Sequence, residues 1–541
     1  MPYSVVKVHC SKKIISYVEP WRKQPSTNVT GSASLISYNE RNFILTNEHV
    51  VRGHTQVYLT VEGTSIQFPV NVVYTNHSCD LAILELKQAQ KEQFERLVQY
   101  KNLDVETIPM PGTKVSTHGF PTGGTGYCLT QGSVSRTEDA MYITYGAPLL
   151  RVQIDAAINH GSSGGLAMTQ EEPETIIGIT SSGLKGGAQN VGYVIPSKIM
   201  AQFIKQYLRF ENNQYRQTVS FPSLEIMMQS LQQQKLRDKY QLSSTDTATG
   251  QYGVLVTKST SRSFINKHFI AGDVILEIDG RKVKSDGNIT YGCAEISIKA
   301  YIASTKDLGE SAEFTVWRLN IETNEREQIN ILVQLNYQYD NGYLLTNEPN
   351  KALPYYIHTD GAVFLVPDIH YVFAHDAVRN GCRNTTGRPD ELNYHMSSKI
   401  SDKRRQFVYL VKVLETEDSL GIECGANVVE SVNGEAISSI SQLAQILETA
   451  TDDVEVKLIS QDLFILSPNN PEKENIFCEK QGIQQRMSRS IADFLSLPNS
   501  EEAQISSAKQ MHHALHRSSM FNDIKVREEV STALGSVHLT N

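Results

Sequence analysis

A serine lies among glycines in the segment Gly161-Ser162-Ser163-Gly164-Gly165, a pattern that can place a hydroxyl beside several backbone N–H groups. Glycine permits the backbone angles and close approaches of such a loop because it has no Cβ. A hydroxyl attacks well only when a base takes its proton, and the oxyanion it creates needs N–H donors. Gly/Ser clusters also form ordinary turns. The segment therefore indicates a nucleophile loop only if a base and an acid occur elsewhere in the chain.

A histidine and an aspartate upstream meet this condition. His49 follows the apolar run Phe43-Ile44-Leu45, as expected at the end of a strand, and Asp80 precedes the strand-like segment Leu81-Ala82-Ile83-Leu84. The chain order His, Asp, Ser is that of chymotrypsin-type double barrels. We predict that His49 is the general base for Ser163 and that Asp80 orients the imidazole and stabilises its protonated form.

Other titratable residues fit these roles less well. Four other histidines lie in turn-like contexts: His54, His77, His118 and His160. Asp155 precedes the nucleophile loop and is expected to make a structural hydrogen bond.

Together these segments resemble the HtrA/Deg family of serine proteases, and more narrowly its plant Deg-type branch. The resemblance extends over Gly119-Phe120-Pro121-Thr122-Gly123-Gly124, Gln153-Ile154-Asp155-Ala156-Ala157-Ile158-Asn159 and Asn190-Val191-Gly192-Tyr193-Val194-Ile195-Pro196. It covers residues 1–208 and continues more weakly to residue 497. One departure is Ser162, where the family usually has Asn. That position contributes backbone geometry, so the resemblance still implies an active site.

The resemblance implies a mostly β fold with some α, in which a chymotrypsin-like double β-barrel protease domain precedes two PDZ-like domains. A chain of 541 residues is too long for one hydrophobic core. We expect a protease domain at 1–212, a first PDZ domain at 213–340, a second, divergent PDZ-like domain at 341–465 and a C-terminal extension at 466–541.

Hairpin signals support the two PDZ-like domains. Asp279-Gly280 and Asn433-Gly434 each follow an apolar strand-like segment, and both dipeptides favour tight hairpin turns. By resemblance, Ser223, Leu224, Glu225 and Ile226 form the loop that binds the C-terminal carboxylate of a peptide. Glu225 would repel such a carboxylate, so a purely structural role for the first PDZ domain stays open.

The resemblance also assigns site residues around the triad. The oxyanion hole would consist of the backbone N–H groups of Gly161, Ser162 and Ser163. A specificity pocket would be lined by Ile158, Thr180, Ser181 and Gly192, and its apolar, medium-sized shape favours Val, Ala or Leu at the cleaved position. We expect no metal in the site and no cofactor.

Composition restricts the partners. Lys and Arg total 50 against 59 Asp and Glu, and this net charge of −9 without a basic stripe argues against nucleic acid. The seven cysteines are scattered and contain no C-x-x-C, which predicts neither a disulfide framework nor a zinc site. No apolar run is long enough for a membrane span, and the N-terminal residues do not read as an export signal. We expect the cytoplasm as the compartment, and signal-independent export stays open.

The predicted triad together with the resemblance implies an ATP-independent serine endopeptidase that degrades unfolded or damaged proteins in protein quality control. Its partners would be unfolded proteins or peptides and further copies of itself in a trimer-based homo-oligomer, up to a hexamer or larger, with Trp21 as an interface aromatic. The alternative is a latent or silent protease that acts mainly as a chaperone-like or peptide-binding scaffold. A hydrolase of small esters lacks support because no α/β-hydrolase nucleophile elbow is present.

Overall fold

The computed structural model describes residues 3–13, 19–21, 25–105, 108–124, 126–142, 148–171, 173–183, 191–212, 221–224, 226–242, 252–259, 268–335, 356–367, 371, 404–416, 419–422, 427–468 and 470–495. The chain forms two compact units. The first contains residues 1–12 and 28–338, and the second contains residues 13–27 and 339–541.

The first unit begins with a six-stranded barrel. Its strands are β1 (Val5–Lys13), β2 (Ser26–Tyr38), β3 (Arg41–Thr46), β4 (His54–Thr60), β5 (Gln67–Asn76) and β6 (Leu81–Leu86). They follow the order β1-β4-β5-β6-β3-β2, and β1 pairs back with β2. The short strand β7 (Lys101–Asn102) pairs with β2, and the helices α1 (Glu48–Val51) and α2 (Gln88–Glu95) follow β3 and β6. Alternating buried side chains, as in β1, point into the core.

A second closed barrel follows. Its strands are β8 (Lys114–Gly119), β9 (Cys128–Ala140), β10 (Leu149–Ile154), β11 (Leu166–Thr169), β12 (Ile176–Gly183) and β13 (Gly192–Pro196). The 11 residues from 155 to 165 connect β10 to β11 and contain the glycine-rich segment. The amphipathic helix α3 (Ser197–Glu211) packs its apolar face against both barrels through Met200, Phe203 and Ile204. The predicted mostly β fold with a chymotrypsin-like double barrel is confirmed.

A PDZ-like region completes the first unit. Its elements are β14 (Ile226–Gln229), α4 (Gln234–Lys239), β15 (Val254–Ser259), β16 (Val274–Ile278), β17 (Arg281–Lys282), β18 (Asn288–Tyr291), β19 (Ala294–Ser297), α5 (Ile298–Thr305), β20 (Ser311–Leu319) and β21 (Arg326–Gln334). The strands β14-β15-β16-β20-β21 form one sheet in this order, β17 pairs with β16, and β18 and β19 form a separate hairpin. Asp279 and Gly280 have φ values of 47° and 70°, as a two-residue hairpin turn requires.

This PDZ-like region contacts the second barrel through β19 and α5. The Asp139 carboxylate accepts hydrogen bonds from the backbone N–H (3.3 Å) and the hydroxyl (2.8 Å) of Ser297. The Ser304 hydroxyl accepts from the Leu150 N–H at 2.9 Å. Asp139 and Leu150 are cross-strand partners on β9 and β10, so both contacts are made with a single cross-strand residue pair of the barrel.

The second unit contains a further PDZ-like sheet. Its elements are β22 (Tyr356–Thr359), β23 (Ala362–Leu365), β24 (Tyr409–Val413), β25 (Asn427–Val432), β26 (Glu435–Ala436), α6 (Ile440–Thr449), β27 (Val454–Leu458), β28 (Leu463–Leu466), α7 (Pro471–Gln481) and α8 (Arg489–Leu495). Ile491 on α8 is 2% exposed and belongs to the core of this sheet, so residues up to 495 pack with the second PDZ-like domain. The segment from 496 to 541 lies outside the described residues.

Trp21 belongs to this second unit. Its ring lies 6.3 Å from the rings of both Tyr356 and His358, and it remains partly exposed. The aromatic residue predicted for a subunit interface therefore has packing partners within its own chain. Among the described residues, no helix combines the length and the apolar character needed to cross a membrane.

Candidate active site

The end of β3 positions His49. Thr46 closes the strand, and its hydroxyl donates to the Ser32 carbonyl at 2.7 Å. The chain then enters the short helix α1, where the backbone N–H of Glu48 donates to the Asp80 carbonyl at 3.1 Å. The side-chain amide of Asn47 donates to the same carbonyl at 3.0 Å. Two donors thus hold the start of α1 against Asp80.

Asp80 occupies a left-handed turn between β5 and β6, with φ of 56°. An aspartate tolerates this conformation better than most residues. The turn directs its carboxylate back towards α1, where Oδ1 accepts the backbone N–H of His49 at 2.9 Å. His49 Nδ1 lies 2.8 Å from Asp80 Oδ2, and Asp80 is 6% exposed while the His49 side chain is 42% exposed. A proton on Nδ1 is therefore held by the buried carboxylate, which leaves Nε2 as the basic nitrogen.

Ser181 on β12 contacts two members of the predicted triad, Asp80 and Ser163. Its hydroxyl donates to Asp80 Oδ2 at 2.9 Å, and its carbonyl accepts the Ser163 hydroxyl at 2.7 Å. In the described part of the chain, no hydrogen bond joins Ser163 Oγ to His49. The Ser163 hydroxyl thus donates its hydrogen to β12, and this hydrogen would have to turn towards His49 before His49 could take it. Catalytic hydrogen bonds are often incomplete without substrate.

Close approaches explain the glycines of the loop. Gly164 has φ of 90°, and a Cβ there would lie 1.9 Å from the Ser32 carbonyl oxygen. Gly161 has φ of 91°, and its Cβ would lie 2.6 Å from the Phe120 carbonyl oxygen. No other residue fits either position without moving the backbone.

Ser32 on β2 fixes this loop from the first barrel. Its hydroxyl donates to the Gly161 carbonyl at 2.8 Å, and its backbone N–H donates to the Ser163 carbonyl at 2.8 Å. Ser32 is fully buried, so water does not compete for these bonds. The nucleophile loop is therefore held by residues of both barrels.

The loop leaves two N–H groups available for an oxyanion. Among the described residues, neither the Gly161 nor the Ser163 N–H has a hydrogen-bond acceptor. The Ser162 N–H, which the sequence also assigned to the oxyanion hole, donates to the Asn159 carbonyl at 3.0 Å. This hydrogen bond closes the turn that exposes the N–H groups of Gly161 and Ser163.

The residues assigned to the specificity pocket separate into two groups. Ile158 contacts Gly192 so closely that a Cβ on the glycine would lie 2.7 Å from Ile158 Cδ1. These two residues form an apolar wall. The Thr180 hydroxyl donates to the carbonyls of Ser162 (2.6 Å) and Gly165 (3.2 Å), so its side chain supports the loop, as Ser181 supports Asp80.

A buried ion cluster lies behind His49. Glu48 is fully buried, and its carboxylate accepts hydrogen bonds from Arg52 Nε at 2.9 Å and lies 3.0 Å from His77 Nδ1. Burial opposes its ionisation, but the hydrogen bonds from His77 and Arg52 prevail and lower the pKa of Glu48 to about 2. His77 therefore has a structural role beside the site.

The remaining candidates have structural contacts. Asp155 Oδ1 accepts the backbone N–H of Ser133, which confirms its expected structural hydrogen bond. His118 contacts Ser116 and Tyr127, and burial lowers its pKa. His54 Nδ1 lies 3.0 Å from the Val51 carbonyl.

Part of the predicted peptide-binding loop is buried. Leu224 and Ile226 are each 2% exposed and lie in the core of the first PDZ-like sheet. Glu225 lies outside the described residues.

Replacing Ser181 with alanine tests its link to Asp80. We expect Ser181→Ala to lower kcat for peptide cleavage by about 10- to 100-fold with little change in KM, because a hydrogen bond to a charged group contributes about 1.5–3 kcal/mol. Steady-state kinetics over a pH series measures this loss. Ser11→Ala is the control, since among the described residues its exposed hydroxyl donates to Asn28 and to no residue of the site. Equal kinetics for Ser181→Ala and wild type would remove Ser181 from the site.

Two family profiles match the chain. Residues 31–179 match the trypsin-like peptidase domain, and residues 346–490 match the PDZ domain. The first match begins within β2, ends within β12 and includes all three residues of the predicted triad.

Similar proteins include two from Arabidopsis thaliana. The chloroplastic Protease Do-like 2 is 29% identical over 454 residues, which are 83% of this chain and 68% of that protein. The mitochondrial Protease Do-like 4 is 29% identical over 475 residues, which are 86% of this chain and 81% of that protein. A solved structure of the HtrA-type protease AlgW with a decapeptide is 21% identical with a TM-score of 0.42, and covers 62% of this chain and 95% of its own.

Proposed function

Because the chain is a serine protease with a trypsin-like peptidase domain and a PDZ domain, homologous to the plant Do-like proteases, we propose that it cleaves unfolded proteins through His49, Asp80 and Ser163 without ATP. The observation that carries this proposal is the 2.8 Å contact between His49 Nδ1 and the buried Asp80 carboxylate. That contact directs the basic Nε2 of His49 away from Asp80.

The proposed reaction begins when the Ser163 hydroxyl turns from the Ser181 carbonyl to His49 Nε2. His49 takes the proton as Ser163 Oγ attacks the scissile carbonyl, and Asp80 stabilises the imidazolium that forms. The N–H groups of Gly161 and Ser163 donate hydrogen bonds to the oxyanion. His49 then protonates the leaving amine, and a water activated by His49 hydrolyses the acyl-enzyme.

Substrate choice follows from the pocket wall and from the PDZ-like domains. The contact of Ile158 with Gly192 favours a medium-sized apolar side chain such as Val, Ala or Leu at the cleaved position. The PDZ-like domains would regulate the protease, bind substrate or support assembly. The hydrogen bonds of Ser297 and Ser304 to β9 and β10 connect the first PDZ-like domain directly to the second barrel.

Assembly and compartment complete the proposal. We propose a trimer-based homo-oligomer, and its subunit number is measured by size-exclusion chromatography with light scattering. The five cysteines that the structure describes are free thiols, which agrees with a reducing compartment such as the cytoplasm.

The alternative is a silent protease that acts as a peptide-binding scaffold. The hydrogen bond from Ser163 to the Ser181 carbonyl favours it, because this rotamer leaves the nucleophile without its base. A latent protease and an active one contain the same residues, so the test must measure whether the Ser163 hydroxyl reacts.

A fluorophosphonate probe distinguishes the two functions. We expect the full chain to be labelled at Ser163 and to degrade a reduced, unfolded protein at the same rate with and without ATP. The same protein in its native, disulfide-bonded form should be cleaved far more slowly. A chain that neither reacts with the probe nor cleaves the unfolded protein, while still binding it, would establish the scaffold.

A further inference from the structure

Three side chains that can bind a metal converge in the second unit. They are His358 on β22 and Glu474 and Cys478 on α7, and their ligand atoms all lie within 4.8 Å of one another. His358 is 0% exposed, and Glu474 and Cys478 are each 7% exposed. In the part of the chain that the structure describes, no other group of three such residues approaches as closely.

The backbone holds these side chains in place. Glu474 and Cys478 are four residues apart on α7, so they lie on the same face of the helix, one turn apart. The Asn470 side chain caps this helix by accepting the Lys473 N–H at 3.1 Å. The backbone N–H of Asp360 donates to Glu474 Oε1, which orients the carboxylate. Its other oxygen is thereby turned towards His358.

The polar atoms that face this point lack hydrogen-bond partners. Both ring nitrogens of His358 and Oε2 of Glu474 are buried without a partner among the described residues. Nδ1 and Oε2 are 3.2 Å apart, but their angles do not make a hydrogen bond. Leaving such groups unpaired in the interior costs about 1–3 kcal/mol each. A bound cation would satisfy Glu474 Oε2 and one of the two ring nitrogens of His358 at once.

Aromatic rings fix the orientation of the imidazole. The Phe477 ring stacks on His358 with a centroid distance of 5.2 Å and an interplanar angle of 3°. The Trp21 ring meets it edge-on at 6.3 Å. His358 is therefore held rigidly with its nitrogens near the two α7 side chains, as a metal ligand requires.

The ligand types select the metal. One imidazole nitrogen, one thiolate sulfur and one carboxylate oxygen suit Zn²⁺, whereas Ca²⁺ and Mg²⁺ prefer oxygen ligands alone. Zinc–ligand bonds of about 2.0–2.3 Å require the three side chains to close by about 1 Å.

Glu474 also lines a cavity of about 590 Å³ with Asp360, Thr416 and Lys473. Of the three ligands only Glu474 lines this cavity, so an ion and the water for its fourth position would enter past the Glu474 carboxylate.

We propose that His358, Glu474 and Cys478 bind one zinc ion, which joins helix α7 to strand β22. The site has a structural role, because it links two elements that lie far apart in the chain. This zinc site is independent of the proposed protease activity.

Zinc binding by the full chain tests the proposal. After removal of metals with a chelator and dialysis against zinc chloride, we expect elemental analysis to find one zinc per chain. Zinc should also raise the thermal unfolding midpoint. Cobalt chloride should give a sulfur-to-cobalt charge-transfer absorption in the near ultraviolet, because Cys478 would bind the metal as a thiolate.

Single substitutions distinguish this site from surface binding. Cys478→Ser should abolish the cobalt charge-transfer absorption, and His358→Gln and Glu474→Gln should weaken zinc binding by at least about tenfold. Cys293→Ser is the matched control, since its half-buried thiol belongs to the first unit and should leave binding unchanged. Circular dichroism identifies any variant that does not fold. If His358→Gln or Cys478→Ser does not fold, zinc binding by Glu474→Gln decides between the proposed site and surface binding, because glutamine conserves the size of the glutamate side chain.

Two results would overturn the proposal. One is a wild-type chain that binds no zinc after dialysis. The other is equal zinc binding by wild type, Glu474→Gln and Cys478→Ser, which would assign the metal to the protein surface.

Discussion

Ser163→Ala is expected to lower kcat/KM for peptide cleavage by about 10⁴- to 10⁶-fold. The substitution removes the oxygen that attacks the substrate but keeps the backbone N–H groups of Gly161 and Ser163. Substrate binding should therefore persist, and a small residual rate should remain above that of uncatalysed hydrolysis. The measurement is cleavage of an unfolded protein and of a fluorogenic peptide with an apolar residue before the scissile bond.

Two further variants make this result specific. His49→Ala should lose a similar factor, and the double variant should lose little more, because triad residues act as a unit. Ser133→Ala serves as the control, since this hydroxyl contacts only Lys114 among the described residues. Equal activity of Ser163→Ala and wild type would require a different nucleophile.

Glu48→Gln is expected to destabilise the first barrel by about 3–5 kcal/mol, because it leaves the Arg52 and His77 side chains beside a buried neutral group. Native-state hydrogen exchange of peptides from β3 and β6 measures this loss as a lower free energy of local opening. Glu92→Gln is the matched control. Glu92 pairs with Arg96 across one helical turn at the exposed surface, where an ion pair contributes about 0–1 kcal/mol.

The same carboxylate makes stability depend on pH. The pKa of Glu48 is lowered from 4.5 to about 2 in the folded chain, so the unfolded chain binds its proton first as the solution is acidified. This contribution is complete above pH 4.5 and is lost as pH falls from there towards 2. Glu48→Gln should remove this dependence. An unchanged acid transition in the variant would show that other groups control it.

The sequence predicts a chemistry for the site because its residue types occur in a known order, and of the predicted triad the structure brings His49 onto Asp80. His49, Asp80 and Ser163 each adjoin a strand or a glycine turn, and the resemblance extended the assignment to the double barrel. The hairpins at Asp279-Gly280 and Asn433-Gly434 were predictable for a local reason, since these dipeptides favour positive φ.

Contacts between distant segments were not predictable. Ser181 has no motif of its own, and its two hydrogen bonds exist only because β12 passes both Asp80 and the nucleophile loop. Ser32 reaches the loop from the other barrel in the same way. His358 precedes Glu474 by more than 100 residues, so a search for short metal-binding motifs could not identify them as ligands of one site.

The hydrogen bond between Ser163 and the Ser181 carbonyl would give the proposed nucleophile two competing acceptors, this carbonyl and His49. If the resting rotamer is favoured by about 1.4 kcal/mol, only about one molecule in ten is ready to react, and the apparent kcat/KM falls by the same factor. An extended substrate offers backbone N–H groups of its own. A substrate that donates one of them to the Ser181 carbonyl would displace the Ser163 hydroxyl towards His49, and binding would then itself raise the reactive fraction.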